Sequence, residues 1–136
     1  MERLLVAAAL VAVVVVVAIV ASRRRADAPT QPTWTVPAQL DRADFARPDA
    51  PWLVVVFSSA TCVGCHEVVE VARPLESDDV AVEEVEVSTH RDLHQRYSVD
   101  AVPMLLVADA DGVVKADYVG PVGATELWAR LAELRG

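Results

Sequence analysis

Ser58-Ser59-Ala60-Thr61-Cys62-Val63-Gly64-Cys65-His66 holds both cysteines of the chain, with two residues between them. Sulfurs at that spacing can close a disulfide without moving the backbone far, and an opened pair can exchange with a disulfide on another molecule. The thiolate is the attacking species, so exposure and local electrostatics decide which sulfur reacts. If Cys62 lies at a helix N-terminus, unpaired N–H groups and the positive end of the dipole favour its thiolate, making it the nucleophile. Cys65, one turn further in and less exposed, then attacks the mixed disulfide on Cys62 and releases the partner. Val63-Gly64 puts no charge between the sulfurs. His66 stands four residues from Cys62. On a helix its imidazole would approach the nucleophile, and the protonated form would lower the Cys62 pKa. An exposed histidine without that role is the plainer reading.

The flanking residues must position this stretch. Trp52-Leu53-Val54-Val55-Val56-Phe57 is a continuous apolar, β-branched and aromatic run, the composition of a strand buried on both faces of a sheet. Behind the cysteines, Val68, Val69, Val71, Ala72 and Leu75 recur at spacings that give a helix one apolar stripe. The sulfurs are thus expected on a strand-to-helix turn. Pro74 cannot continue an undistorted helix and marks a kink or end near Ala72.

This strand-CxxC-helix unit, Trp52 to Ala72, resembles the thioredoxin family. Tyr97-Ser98-Val99-Asp100-Ala101-Val102-Pro103-Met104-Leu105-Leu106-Val107 is similar to that family's second signature, and the resemblance runs from about Val36 to the C-terminus. In thioredoxins a cis-proline follows a short apolar residue and sits against the CxxC, a position matched by Pro103 after Val102. The resemblance implies an α/β thioredoxin-like fold, a central mixed sheet flanked by helices. It also implies a redox disulfide Cys62–Cys65 and substrate contact through backbone groups at Val102 and Pro103. The activity it implies is a thiol-disulfide oxidoreductase of the protein disulfide reductase type, with no cofactor. Its partners would be protein disulfide or dithiol clients and a redox partner protein.

The family pattern is not met everywhere. Thioredoxins carry a buried acidic residue six positions before the first cysteine, and here that position is Val56. Tryptophans that flank the family's site are replaced by Ser58 and Thr61. Without that internal base, exchange should be slower or rely on water and His66. A catalytically weak thioredoxin-fold binding module is therefore the alternative from another class. Cys62-Val63-Gly64-Cys65-His66 also spells the attachment signature of a c-type haem, with His66 as axial ligand and Met104 as a second. Its context argues against that: a haem would need the space that the sheet and Pro103 should fill.

Elsewhere the pattern predicts a short first strand at Trp34-Thr35-Val36 and a short helix over Asp41 to Ala46 begun by Asp41 or Asp44. Val80 to Val87, mixing apolar and acidic residues, reads as a strand with one wetter face, and Arg91 to Tyr97 as a helix. Met104 to Ala108 and Val113 to Tyr118 form an antiparallel pair around Asp109-Ala110-Asp111-Gly112. Gly120-Pro121-Val122-Gly123 precedes a last helix, Ala124 to Leu134, with Leu127, Trp128, Leu131 and Leu134 on its apolar face. His90 and His94, four apart, could share a metal ion, but no third ligand stands nearby and exposed side chains are expected. The glutamates at 83, 84 and 86 read as a solvated strand face rather than a cation site. No metal site is assigned.

The first residues follow different chemistry. Leu4 to Ala21 contains only Leu, Val, Ala and Ile. At about 1.5 Å per residue it just spans a hydrocarbon core of about 30 Å once Ser22 is counted. Residues 1–25 are therefore expected to be an anchor with a basic flank, held in the membrane through residues 4–22. A cleaved signal peptide is the competing reading, but the apolar run is long and Arg23-Arg24-Arg25 follow it like a stop-transfer signal. The same arginines keep the thiol domain on the cytoplasmic side by the positive-inside rule; the opposite orientation would place it in an oxidising space. Residues 26–37, with Pro29, Pro32 and Pro37, read as an extended tether, and 38–136 as the folded domain.

Charge narrows the partners. The chain carries −8, and its first twenty-five residues hold four arginines against one glutamate, which leaves −11 on the rest. Such a domain is repelled by nucleic acid and by anionic head groups, so nucleic-acid binding is excluded and the apolar segment supplies the membrane attachment. A monomer is expected. Arginine outnumbers lysine eleven to one among abundant Ala and Val, the usage of a GC-rich bacterial genome.

Overall fold

The computed structural model describes residues 1–23 and 34–136, which form two units treated separately below. Of the tether predicted over residues 26–37, residues 26–33 lie outside the described residues, as do the arginines at 24 and 25.

The first unit contains helix α1, Glu2–Arg23. Its window Glu2–Val20 has a mean hydropathy of 3.0 and is exposed along its length, long and apolar enough to cross a membrane. An apolar surface on every side of a helix has no solvated face to offer water.

The second unit is built on a four-stranded mixed sheet of order β2-β1-β3-β4. Its elements are β1 (Trp52–Ser58), α2 (Cys65–Ala72), β2 (Val80–Glu86), α3 (Arg91–Arg96), β3 (Met104–Ala108), β4 (Val114–Val119) and α4 (Ala124–Arg135). Strand position explains composition. The central strands β1 and β3 are buried from Leu53 to Ser58 and from Met104 to Ala108, and apart from Ser58 both are continuous apolar runs. The edge strands β2 and β4 keep charged residues on their wetter positions. β1 and β2 are parallel, with Trp52 opposite Val80, so the chain must return to the start of β1 before β2 begins. Helix α2 makes that return, and it passes into a 3-10 turn, Arg73–Leu75, at the predicted proline.

The two faces of the sheet carry separate cores. Val54, Val56, Leu105 and Val107 pack under α2 and α4, against Val68, Val69, Ala72, Leu127 and Leu131. Leu53, Val55, Phe57, Met104 and Leu106 pack on the opposite face with Leu40, Phe45 and Leu93. Three layers result, helix on sheet on helix and loop. On α4 the predicted face is bent at one residue: Trp128 stays 43% exposed, its indole N–H donating to the Val71 carbonyl at 2.9 Å.

Two sequence expectations shift. Trp34-Thr35-Val36 forms no strand, and the pairing of this segment is a single bridge, Gln39 to Val113. Proline at 37 has no N–H for a ladder, and pairing starts only beyond it. The short helix is a 3-10 turn, Arg42–Asp44, capped by the Asp41 side chain, which accepts from the Ala43 N–H at 3.0 Å. Arg42 is buried there, its guanidinium donating to the carbonyls of Ala50 (2.8 Å), Asp109 (3.1 Å) and Arg47 (3.1 Å).

The bridge closes on Gly112, whose φ is +80° and whose carbonyl accepts from the Leu40 N–H at 2.8 Å. A side chain there would overlap the Leu40 carbonyl oxygen. Gly112→Ala is expected to lower the unfolding free energy by at least about 1–2 kcal/mol, the cost of a left-handed backbone in an L-residue. Urea denaturation of the full chain measures it, as a lower midpoint at unchanged slope.

Candidate active site

β1 ends at Ser58, and the chain turns through Ser59–Gly64 before α2 begins at Cys65. Gly64 is the N-cap residue at φ +92°, a left-handed bend that costs glycine nothing sterically, and it has no side-chain cap. The bend separates the sulfurs. Cys62 donates its N–H to Ser59 O at 3.1 Å in a turn of its own and lies three residues ahead of the helix. The expectation that Cys62 lies at the helix N-terminus is corrected: Gly64 is the N-cap and Cys65 the first helical residue.

Cys62 and Cys65 are joined as a disulfide with Cα atoms 5.6 Å apart, within the usual range. Cys65 is 3% exposed and Cys62 half-buried, so Cys62 is the sulfur an incoming group can reach. Val63 between them is 99% exposed, an apolar side chain held in solvent at the mouth of the pair.

The second signature reaches the same end of the sheet. In the antiparallel β1–β3 pair, Met104 stands opposite Phe57, which sets Pro103 level with Ser58 beside the disulfide loop. The Val102–Pro103 peptide is cis. Pro103 is buried, and its carbonyl accepts from the Gly120 N–H at 2.9 Å. Val102 is half-buried, and among the described residues its backbone makes no hydrogen bond.

His66 is exposed on the first turn of α2, without a hydrogen bond or ion pair among the described residues. Because the helix starts at Cys65, the four-residue helical spacing that would bring His66 over Cys62 does not form. The haem reading also fails on packing. Met104 is fully buried in the core on the face of the sheet away from α2, so it cannot join His66 about one iron.

His94 departs from expectation too. It is 5% exposed, donates from Nε2 to the Val85 carbonyl at 2.8 Å, and stands edge-on to Phe57 at 5.2 Å. His90 instead faces Thr89 Oγ1 from Nδ1 at 3.0 Å, so the two imidazoles do not converge. Phe57 is the residue that fills the space behind the site, and His94 packs against its ring.

Sequence reasoning missed Glu84 and Glu86. The Glu86 carboxylate accepts from the Ala60 N–H at 3.1 Å and from both the N–H and the hydroxyl of Ser88, tying the disulfide loop to the end of β2. Glu84 accepts from the Ser58 hydroxyl at 2.7 Å. The strand pattern alone gives both to a solvated face, and their spacing of two residues is the available signal: it puts them on one side of the strand. Only register shows what that side meets, Glu84 opposite Val56 and Glu86 opposite Ser58.

No family model matches the sequence, and no curated protein matches it. Solved structures do. A mutant thioredoxin from Halobacterium salinarum is 23% identical with a TM-score of 0.57 over 78% of this chain and 95% of its own. The oxidised mitochondrial thioredoxin 3 of Saccharomyces cerevisiae is 20% identical with a TM-score of 0.52, over 63% and 81%. A malarial protein is 15% identical with a TM-score of 0.55, over 61% and 96%. The chain has the thioredoxin fold. Within this thioredoxin fold, Val56 is 1% exposed in the core under α2, and the polar side chains nearest the cysteine loop come from β2.

The Ser88 hydroxyl holds the Glu86 carboxyl below the usual glutamate range; burial opposes this, and the N–H groups of Ala60 and Ser88 add to it. A depressed value means the contribution is present above the unfolded glutamate pKa and is lost as pH falls through the folded one. The amide resonances of Ala60 and Ser88 are therefore expected to titrate together, with a midpoint below that of an ordinary glutamate. Glu86→Gln should remove that step from an NMR pH titration.

Proposed function

We propose that the protein is a membrane-anchored thiol-disulfide oxidoreductase in which Cys62 attacks a partner's disulfide and Cys65 resolves the mixed disulfide. The carrying observation is the asymmetry of the pair, one sulfur accessible in a loop and its partner buried at the start of α2. In the reducing direction, the Cys62 thiolate displaces one partner sulfur and forms a mixed disulfide. Cys65 then attacks Cys62, closes the Cys62–Cys65 bond and releases the second partner sulfur as a thiolate. Two electrons pass from the dithiol to the client, and a redox partner protein must restore them.

The client is a protein segment in extended conformation. Val63 offers it an apolar contact, and the unbonded backbone of Val102 beside Pro103 offers main-chain hydrogen bonds. A disulfide or dithiol protein without strong negative charge suits a domain that carries −11 outside the first twenty-five residues. The alternative, a binding module with the fold but little turnover, draws on Val56, which leaves β1 without an acid beneath the sulfurs.

An insulin-reduction assay separates the two. Cys62→Ser should drop turnover to the uncatalysed background, and Cys65→Ser should accumulate a covalent client adduct that reductant releases. Equal rates for the wild-type and Cys62→Ser chains would favour the binding module.

Helix α1 supplies the anchor in this reading, with the arginines at 23–25 holding the thiol domain in the cytoplasm as a reductase. A C-terminal reporter that is active on only one side of the membrane tests this. Signal from a cytoplasm-active reporter is expected, and signal from an exported one would make the domain an oxidant or maturation factor instead.

A further inference from the structure

Val56 and Glu84 are register partners on parallel strands, so their side chains stand together on the sheet face that α2 covers. By alternation Ser58 and Glu86 continue that face toward the disulfide loop. Helix α2 buries Cys65, Val68, Val69 and Ala72, the one stripe it turns to the sheet. The helix runs opposite to β1, because β2 restarts level with Trp52. Its first buried position, Cys65, therefore falls toward the Ser58 end of β1 on the same face, and in the disulfide form no hydrogen bond joins the two residues.

Ser58 is 1% exposed, and its hydroxyl donates to Glu84 Oε1 at 2.7 Å. A hydroxyl that donates to a carboxylate keeps lone pairs free to accept a proton from a thiol. Glu84 itself lines a cleft of about 300 Å³ between β2 and the end of α2, open to water. Other charged groups around it are engaged elsewhere. Glu76 accepts from the Val82 N–H at 2.6 Å and pairs with Arg47 at 3.2 Å, and Arg73 of the same cleft pairs with Glu70 at 3.4 Å. Glu83 points to the opposite face, to the Ala46 N–H at 2.7 Å, and Glu86 holds Ala60 and Ser88.

We propose that Ser58 and Glu84 are the proton-transfer pair for Cys65, an acid on β2 acting from beside Val56. This rests on the oxidoreductase reading above. When Cys65 resolves the mixed disulfide, its S–H proton passes to the Ser58 oxygen as the Ser58 proton passes to Glu84. The Cys65 thiolate then attacks Cys62 Sγ, the Cys62–Cys65 bond forms, and the client sulfur leaves as a thiolate and takes a proton from water. Glu84 returns its proton to water through the cleft. In the reverse direction a proton taken up from water through the cleft reaches the leaving Cys65 thiolate by the same route.

The test uses the full chain in detergent and two independent readouts. Insulin reduction by Glu84→Gln and Ser58→Ala should be at least about tenfold slower at neutral pH, a conservative share of what general acid–base transfer contributes. The deficit should shrink as pH rises toward the thiol pKa, and Ser58→Thr, which keeps the hydroxyl, should restore the rate. Thiolate absorbance of the Cys62→Ser chain, whose one thiol is Cys65, should titrate at lower pH when Glu84→Gln is added, because a nearby carboxylate disfavours a thiolate. A thiol more acidic in the slower enzyme is not what loss of structure produces. An unchanged Cys65 titration, or Glu84→Gln turnover equal to wild type at every pH, overturns the assignment. Equal turnover by the wild-type and Cys62→Ser chains would instead sink the oxidoreductase reading, and the titration, which needs no turnover, still decides the Glu84 assignment.

Discussion

Parallel pairing of β1 with β2 is the constraint on which the site depends. Parallel neighbours cannot be joined by a hairpin, so the chain leaves the end of β1, folds back along the sheet and begins again level with Trp52. Helix α2 is only eight residues long, well under the about 12–15 at which an isolated helix becomes even marginal in water. Packing holds it: Val68, Val69 and Ala72 are buried against Val54 and Val56, with about 1.5–3 kcal/mol for each valine taken out of water. The first residue of that buried stripe is Cys65. The Cys65 sulfur is shielded because the helix can bury its stripe in one way only, and the loop before it leaves Cys62 within reach.

The loop has few resources of its own. It contains no charged residue between Ser58 and Cys65, and Gly64 supplies the bend rather than a cap. Its order is borrowed from β2, where Glu84 and Glu86 reach across to Ser58 and Ala60. An edge strand suits this task, because one of its sides is open to water and a carboxylate there need not be fully desolvated. A central strand has no such freedom, and at Val56 of β1 the chain has a side chain that needs no partner.

The opposite face of the sheet is built more conventionally, with one polar element at its centre. Phe57 is packed by His94 and Tyr97, and His94 is held by the Val85 carbonyl. Tyr97 in turn accepts from the Asp41 N–H at 3.0 Å and donates to Asp44 at 2.5 Å, which fastens the N-terminal segment to α3. Burial raises the Tyr97 pKa, and its bond to Asp44 adds to the shift, so the phenol stays protonated and keeps donating at neutral pH. These contacts fix the back of β1 at the end that carries the disulfide loop.

Local physics was legible in the sequence wherever composition and spacing decide the outcome. The apolar run at Trp52 reads as a strand buried on both faces, the run at Met104 as a further strand, the stripe from Val68 as a helix, Pro74 as its kink or end, and the paired cysteines as the junction of strand and helix. The apolar α1 was equally plain. Tertiary structure decided what depends on register and on direction. Whether Glu84 is solvated or meets Ser58 turns on which residue of β1 it faces, and no pattern along one strand contains that. The same is true of His94, exposed by its neighbours in sequence and buried by Phe57, and of Cys62, whose place ahead of the helix follows from a left-handed bend at Gly64. Side-chain chemistry is written residue by residue, but a hydrogen bond or a burial belongs to two segments at once, and the fold alone brings them together.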